Sequence, residues 1–149
     1  MNTKIIKVIW LALTLSQFLY GFIVYISPAP ANAPIGQPLP LWAPAIVSGL
    51  ISVGIFSSRL TGSALERLFS QTPAKVAFGR VFVLYIICWA MNESITLFGF
   101  VTAFTFTHTI DGFIPFAAAG VALNVVMFPR LDRFVQQALS REGGSISPT

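Results

Sequence analysis

Four apolar runs dominate this chain: Val8–Ile26, Leu41–Ser57, Val81–Ala103 and Phe113–Phe128. Together they hold one carboxylate, Glu93, and no Lys or Arg. A helix needs about 20 residues to cross a hydrocarbon core. The first and third runs are long enough; the second and fourth are short and borrow flanking turns. Lipid offers the backbone no partners, so a spanning segment is a helix or part of a closed barrel. These runs are continuous rather than alternating, which selects helices. Composition agrees: charged residues make up 9% of the chain and apolar ones 55%, whereas a soluble domain carries about 25% charge. The expectation is an all-α membrane protein with four transmembrane helices in a single domain.

The nine basic residues set an orientation. Lys4 and Lys7 precede the first run. Arg59, Arg67, Lys75 and Arg80 lie between the second and third. Arg130, Arg133 and Arg141 follow the fourth. The connections Ser27–Pro40 and Phe104–Gly112 have none. The positive-inside rule then puts both termini and the 58–80 loop in the cytoplasm. The net charge of +4 is thereby read as topology, not as affinity for nucleic acid. The expected setting is a bacterial cytoplasmic (inner) membrane.

Lys4 and Lys7 before an apolar run, with Ala31-Asn32-Ala33 after it, resemble a signal peptide. The apolar run exceeds the usual h-region of about 7–15 residues, and Pro34 follows the cleavage-like site, so the segment is read as a retained helix. Five prolines make 27–40 an extended outer loop. In the 58–80 loop, Leu60, Ala64, Leu65, Leu68 and Phe69 fall at helical spacing. The second and third spans are expected to continue as helices and turn near Gln71-Thr72-Pro73. The tail 130–141 is amphipathic and either lies on the membrane or docks against that hairpin.

Glu93 is the focus of any chemistry. It lies about 20 Å along the helix from Arg80, near the middle of a core about 30 Å thick. A carboxylate there is costly and favours its neutral form. The plain alternative is an interhelical hydrogen bond that locks packing. Asn92 and Thr96 fall to one side of Glu93, and Gly99 and Ala103 continue that side. This face is expected to meet protein. Gln17 sits at a similar depth on the first span. Ser52 with Gly49, and Ala117–Gly120, signal close helix packing, and Asn124 a packing hydrogen bond. Cys88 reads as an inert core thiol. One Cys and one His, His108, leave no disulfide framework and no multi-His metal site. No nucleophile with a base and no phosphate loop is evident, so a self-contained enzyme is not expected, nor a cofactor.

The third span reads Glu93-Ser94-Ile95-Thr96-Leu97-Phe98-Gly99. It resembles the second helix of the proteolipid (c) subunit of rotary ATP synthases and V-type ATPases. The loop stretch Gly62-Ser63-Ala64-Leu65-Glu66, then Gln71-Thr72-Pro73, is similar to that family's loop, and Gln17-Phe18-Leu19-Tyr20-Gly21-Phe22 resembles its V-type members. The similarity covers about residues 49–104 and departs at Phe56, Ser70 and Phe98. It implies an ion-binding carboxyl at Glu93 and a homo-oligomer or other membrane subunits as partners. A weak internal repeat points to two repeated helical hairpins, Lys4–Phe69 and Arg80–Ser140. Trp42, Pro44, Gly49, Arg59, Leu60 and Leu68 recur 71 residues later as Phe113, Pro115, Gly120, Arg130, Leu131 and Leu139.

Three functions compete: an ion-carrying subunit of a larger complex, a structural or assembly subunit, and a small proton-coupled transporter. For the first, the candidate ion-binding residues are Glu93, Thr96, Asn92, Ser94 and Gln17. A proton is expected rather than Na⁺. A bare cation needs several oxygen ligands to offset its desolvation, and two of the three side chains that supply them in sodium-binding proteolipids are replaced here by Ser57 and Phe98.

Overall fold

A computed structural model of the chain describes residues 3–27 and 41–144, with side chains to residue 140. The expected outer loop beyond Ser27 lies outside the described residues. Among the described residues the regular structure is entirely helical. The elements are α1 (Thr3–Ile26), α2 (Trp42–Arg59), α3 (Gly62–Gln71), α4 (Ala74–Val101), α5 (Ile114–Val126) and α6 (Asp132–Gly144). A π-helical stretch, Thr102–Thr107, prolongs α4 until His108 turns the backbone left-handed at φ 51°. A 3-10 turn at Ile110–Gly112 then leads into α5.

Two helices are long and apolar enough to cross a membrane: α1, with 24 residues, and the rod Ala74–Thr107, with 34. The pair α2 and α3 passes the same test only when taken together, across a 54° bend, and α5 is a shorter apolar helix. The rod starts well before the expected Val81 and ends after Ala103.

The expected helical continuation of the second span is present as α3, but set off from α2 by this bend. Leu60 ends α2 and Thr61 is extended at φ −71°, ψ 158°. Leu65 and Phe69, one turn apart on α3, are both buried. A straight helix would carry them away from the bundle; the bend turns them onto α6, where Phe69 stacks on Phe134. Leu131, Val135 and Ala138 of α6 are buried in the same cluster. Lys7 of α1 pairs with Asp132 in the first turn of α6, where a carboxylate also suits the positive end of the helix. Of the two alternatives for the tail, docking against α3 is the one observed. The expected turn near Thr72-Pro73 separates α3 from α4.

Cross-helix contacts give the directions. Ser52 meets Cys88 and Gly49 faces Ile95, so α2 runs antiparallel to α4. Trp89 meets Met127, Asn92 meets Asn124 and Gly99 faces Phe116, so α5 is antiparallel to α4 as well. Trp10 bonds to Asn124 and Gly21 faces Phe113, which sets α1 antiparallel to α5 and parallel to α4. The helix α4 packs against α1, α2 and α5. It therefore buries residues on several sides, as an all-round apolar helix should.

The interior has three layers. A large apolar cluster, including Ile6, Val81, Tyr85, Trp89, Met127 and Leu131, lies at the end where α3 and α6 pack. A small one, Val24, Ala103 and Phe113, lies at the other. Between them are the polar residues Gln17, Asn92, Thr96 and Asn124, at most 1% exposed. The outside is apolar: Leu15, Phe18 and Phe22 on α1, Val47 and Leu50 on α2, and Val125 and Val126 on α5 are each at least half exposed.

Candidate functional site

Glu93 and the buried amides form two separate sites on adjacent faces of α4. Ser16 and Tyr20 stand one turn apart on α1, so both reach the same neighbour. The Ser16 hydroxyl lies 2.7 Å from Glu93 Oε1, and the Tyr20 hydroxyl donates to the same oxygen at 2.9 Å. Ser16 Oγ is also 2.7 Å from the Leu13 carbonyl oxygen. Its single hydrogen thus has two acceptors within reach. The Tyr20 ring rests against Phe100 at 5.7 Å between centroids, which holds the phenol in place. Glu93 itself is half-buried.

This geometry suits both protonation states of a carboxyl. With Glu93 charged, Ser16 and Tyr20 both donate to Oε1. With a proton on Oε1, that oxygen can donate to Ser16 Oγ while the Ser16 hydrogen turns to the Leu13 carbonyl. Tyr20 remains a donor throughout. A hydroxyl supplies one donor and two acceptor positions and rotates to suit.

The second site faces α5. Asn92 Nδ2 donates to Asn124 Oδ1 at 2.9 Å and lies 3.5 Å from Met127 Sδ. Gly120 makes the approach possible: a Cβ there would stand 2.3 Å from Thr96 Oγ1, 2.9 Å from the Asn92 carbonyl oxygen and 3.4 Å from Gln17 Oε1. Several atoms of this cluster lack a protein hydrogen bond: both amide atoms of Gln17, Asn92 Oδ1, Thr96 Oγ1 and Asn124 Nδ2. Low dielectric makes such groups expensive.

The five residues expected to bind an ion do not converge. Gln17, Asn92 and Thr96 come together, as a face turned toward protein, but no hydrogen bond joins any of them to Glu93. The helix explains it: residues one apart diverge by about 100°, so Asn92 points to α5 while Glu93 points to α1. Gln17 and Ser16 divide in the same way. Ser94 donates back to the Met91 carbonyl at 2.7 Å, within its own helix. Ser16 and Tyr20 are the residues sequence reading missed. Their signal was present: two hydroxyl residues at i, i+4, flanking Gln17 at the depth already matched to Glu93. Asn124 does make the packing hydrogen bond expected of it, and Cys88 is buried against Ser52.

Among the described residues no group of His, Cys, Asp and Glu could hold a metal ion. Comparison of the chain with protein-family models, curated proteins and solved structures finds no match.

Proposed function

We propose that this chain is a four-span membrane protein, N-in and C-in, whose Glu93 carboxyl reversibly binds a proton as part of a larger membrane complex. On this reading α1, α2, α4 and α5 are the spans. The apolar exterior of all four supports it, since such a surface is solvated by lipid and not by water. The up-down order of the four helices agrees with the charge distribution. The bacterial inner membrane and the kinship to rotary-ATPase proteolipids belong to this proposal.

The observation that carries the proton-binding reading is the Ser16 hydroxyl, placed between Glu93 Oε1 and the Leu13 carbonyl. A group that only locked packing would need a donor; this one has a partner that can reverse its role when the carboxyl gains a proton. Neutralisation is what makes a carboxyl tolerable in lipid. The second reading, an assembly subunit in which Glu93 ties α1 to α4, draws on the same two bonds.

Dicyclohexylcarbodiimide, which attacks protonated carboxyls in apolar surroundings, separates the readings. Proton binding requires labelling at Glu93 that falls as pH rises, and that is lost in Glu93→Gln. Labelling that does not vary with pH would leave only the packing role. Topology is tested with impermeant thiol reagents on a Cys88→Ala background. Cysteine at Ser63 should be labelled from the cytoplasmic side only, and cysteine at Pro34 from outside.

A further inference from the structure

The bend between α2 and α3 gathers three arginines from three helices around one cavity. Arg59 ends α2, Arg67 lies on α3 and Arg80 on α4, and with Ala64, Leu68 and Leu84 they line a space of about 500 Å³. All three arginines are exposed. No ion pair ties any of them to an acid among the described residues, and Glu66, next to Arg67 in sequence, makes none. Guanidinium groups around one space repel one another. An anion between them turns that repulsion into attraction, and the planar fork of Arg matches the oxygens of a phosphate.

The cavity wall bears on which kind of anion would fit. Leu84 lies one turn beyond Arg80, inside the apolar run of α4. Arg59 stands where the apolar helix α2 gives way to the amphipathic α3. The cavity therefore passes from a cationic rim to an apolar side, at the boundary between the two kinds of segment. A free phosphate ion gains nothing from Leu68 and Leu84, whereas a phospholipid presents a phosphate next to apolar chains. We infer that this cavity binds the phosphate headgroup of an anionic membrane phospholipid, with Arg59, Arg67 and Arg80 on the headgroup and Leu84 toward the acyl end. This rests on the reading of α2 and α4 as membrane spans. Basic cavities at the cytoplasmic ends of helix bundles are suited to such headgroups.

The test uses the full chain in a neutral detergent, with dioleoylphosphatidylglycerol or dioleoylphosphatidylcholine added at equal concentration and bound lipid read by native mass spectrometry. Phosphatidylglycerol should be retained in preference. Arg67→Gln should weaken it about fivefold, with Arg80→Gln as the second variant, while Arg133→Gln, the same charge change outside the cavity, should leave it unaltered. Equal retention of the two lipids, or equal weakening by Arg67→Gln and Arg133→Gln, overturns the proposal. Displacement of phosphatidylglycerol by millimolar inorganic phosphate overturns the lipid assignment in favour of a free-anion site. A chain that stays monodisperse without detergent overturns the membrane reading and this proposal with it. A detergent-dependent chain indifferent to phosphatidylglycerol overturns this proposal alone.

Discussion

Tyr20 reaches across from α1 to Glu93 on α4, its hydroxyl 2.9 Å from Oε1. The bond is specific in a bundle where most interhelical contact is apolar. It can be measured with Tyr20→Phe, Glu93→Gln and the double variant. Polar pairs between helices in lipid couple by about 0.6 kcal/mol on average and up to about 1.7. Unfolding in mixed detergent should give a coupling of roughly 0.5–1.5 kcal/mol. Zero coupling would mean that the two side chains do not meet in the membrane.

Gly120 should be intolerant of even one added carbon. Its ideal Cβ would lie 2.9 Å from the Asn92 carbonyl oxygen, a backbone atom that cannot swing away. Gly120→Ala is expected to cost about 1–3 kcal/mol of stability. Adding Thr96→Ala should recover part of the loss, because it clears only the contact with Thr96 Oγ1. Gly54 is the control: a Cβ there meets nothing within 4 Å, and Gly54→Ala should be neutral or slightly stabilising. Equal losses at Gly54 and Gly120 would contradict the packing of α5 on α4.

The helical content and the polar layer could be read from the sequence because both depend on local pattern. Long apolar runs dictate helices, and Asn92, Thr96 and Gly99 share a face by periodicity alone. The bend at Leu60–Thr61 could not be read, since α2 and α3 are each acceptable as parts of one straight helix. It is settled by where Leu65 and Phe69 find partners, on α6, far along the chain. The grouping of site residues failed for a related reason. Periodicity put Asn92 and Thr96 to one side of Glu93, but the roughly 100° between Asn92 and Glu93 is enough to turn Asn92 to α5 while Glu93 meets Ser16 and Tyr20 of α1. The matching depth of Gln17 and Glu93 agrees with the packing of α1 on α4; which neighbour each face of α4 meets depends on contacts far apart in the chain.

The Asn92–Asn124 bond should be structural and independent of Glu93. Asn124→Ala leaves the buried Asn92 amide without its oxygen acceptor, at a cost of about 1–3 kcal/mol. Replacing both residues with Leu should cost less than the two single changes added together, since neither partner is then left unpaired. Carbodiimide labelling of Glu93 should be unchanged in these variants. A loss of labelling in Asn92→Leu would join the two sites that the geometry separates.

The Lys7–Asp132 pair gives α6 docking a pH dependence. The Lys7 ammonium, and after it the Thr3 hydroxyl, hold the Asp132 carboxyl below its usual range. A depressed carboxyl stabilises the folded form above its unfolded value, near about 4, and that contribution is lost as pH falls below it. Both side chains are more than a third exposed, so the effect is small, roughly 0.2–1 kcal/mol. Amide exchange in α6, corrected for its intrinsic rate, should therefore quicken between pH 6 and pH 3. Asp132→Asn should remove this acid-induced part. If it persists in that variant, another group governs the docking.

Glu93 should take a proton and not Na⁺. A sodium ion stripped of water needs several oxygens held around it. The oxygens at Glu93 are those of Ser16 and Tyr20, with the Leu13 carbonyl behind Ser16. The Ser94 hydroxyl is turned to Met91, and the Gln17 amide faces Gly120 rather than the carboxyl. A proton needs no such cage, because the carboxyl binds it covalently and Ser16 can accept the hydrogen bond that results. Raising Na⁺ into the millimolar range at fixed pH should therefore leave carbodiimide labelling of Glu93 unchanged, while raising pH should suppress it. Clear protection by Na⁺, absent with K⁺, would require Gln17 to turn from α5 toward Glu93, and Gln17→Leu would then abolish the protection.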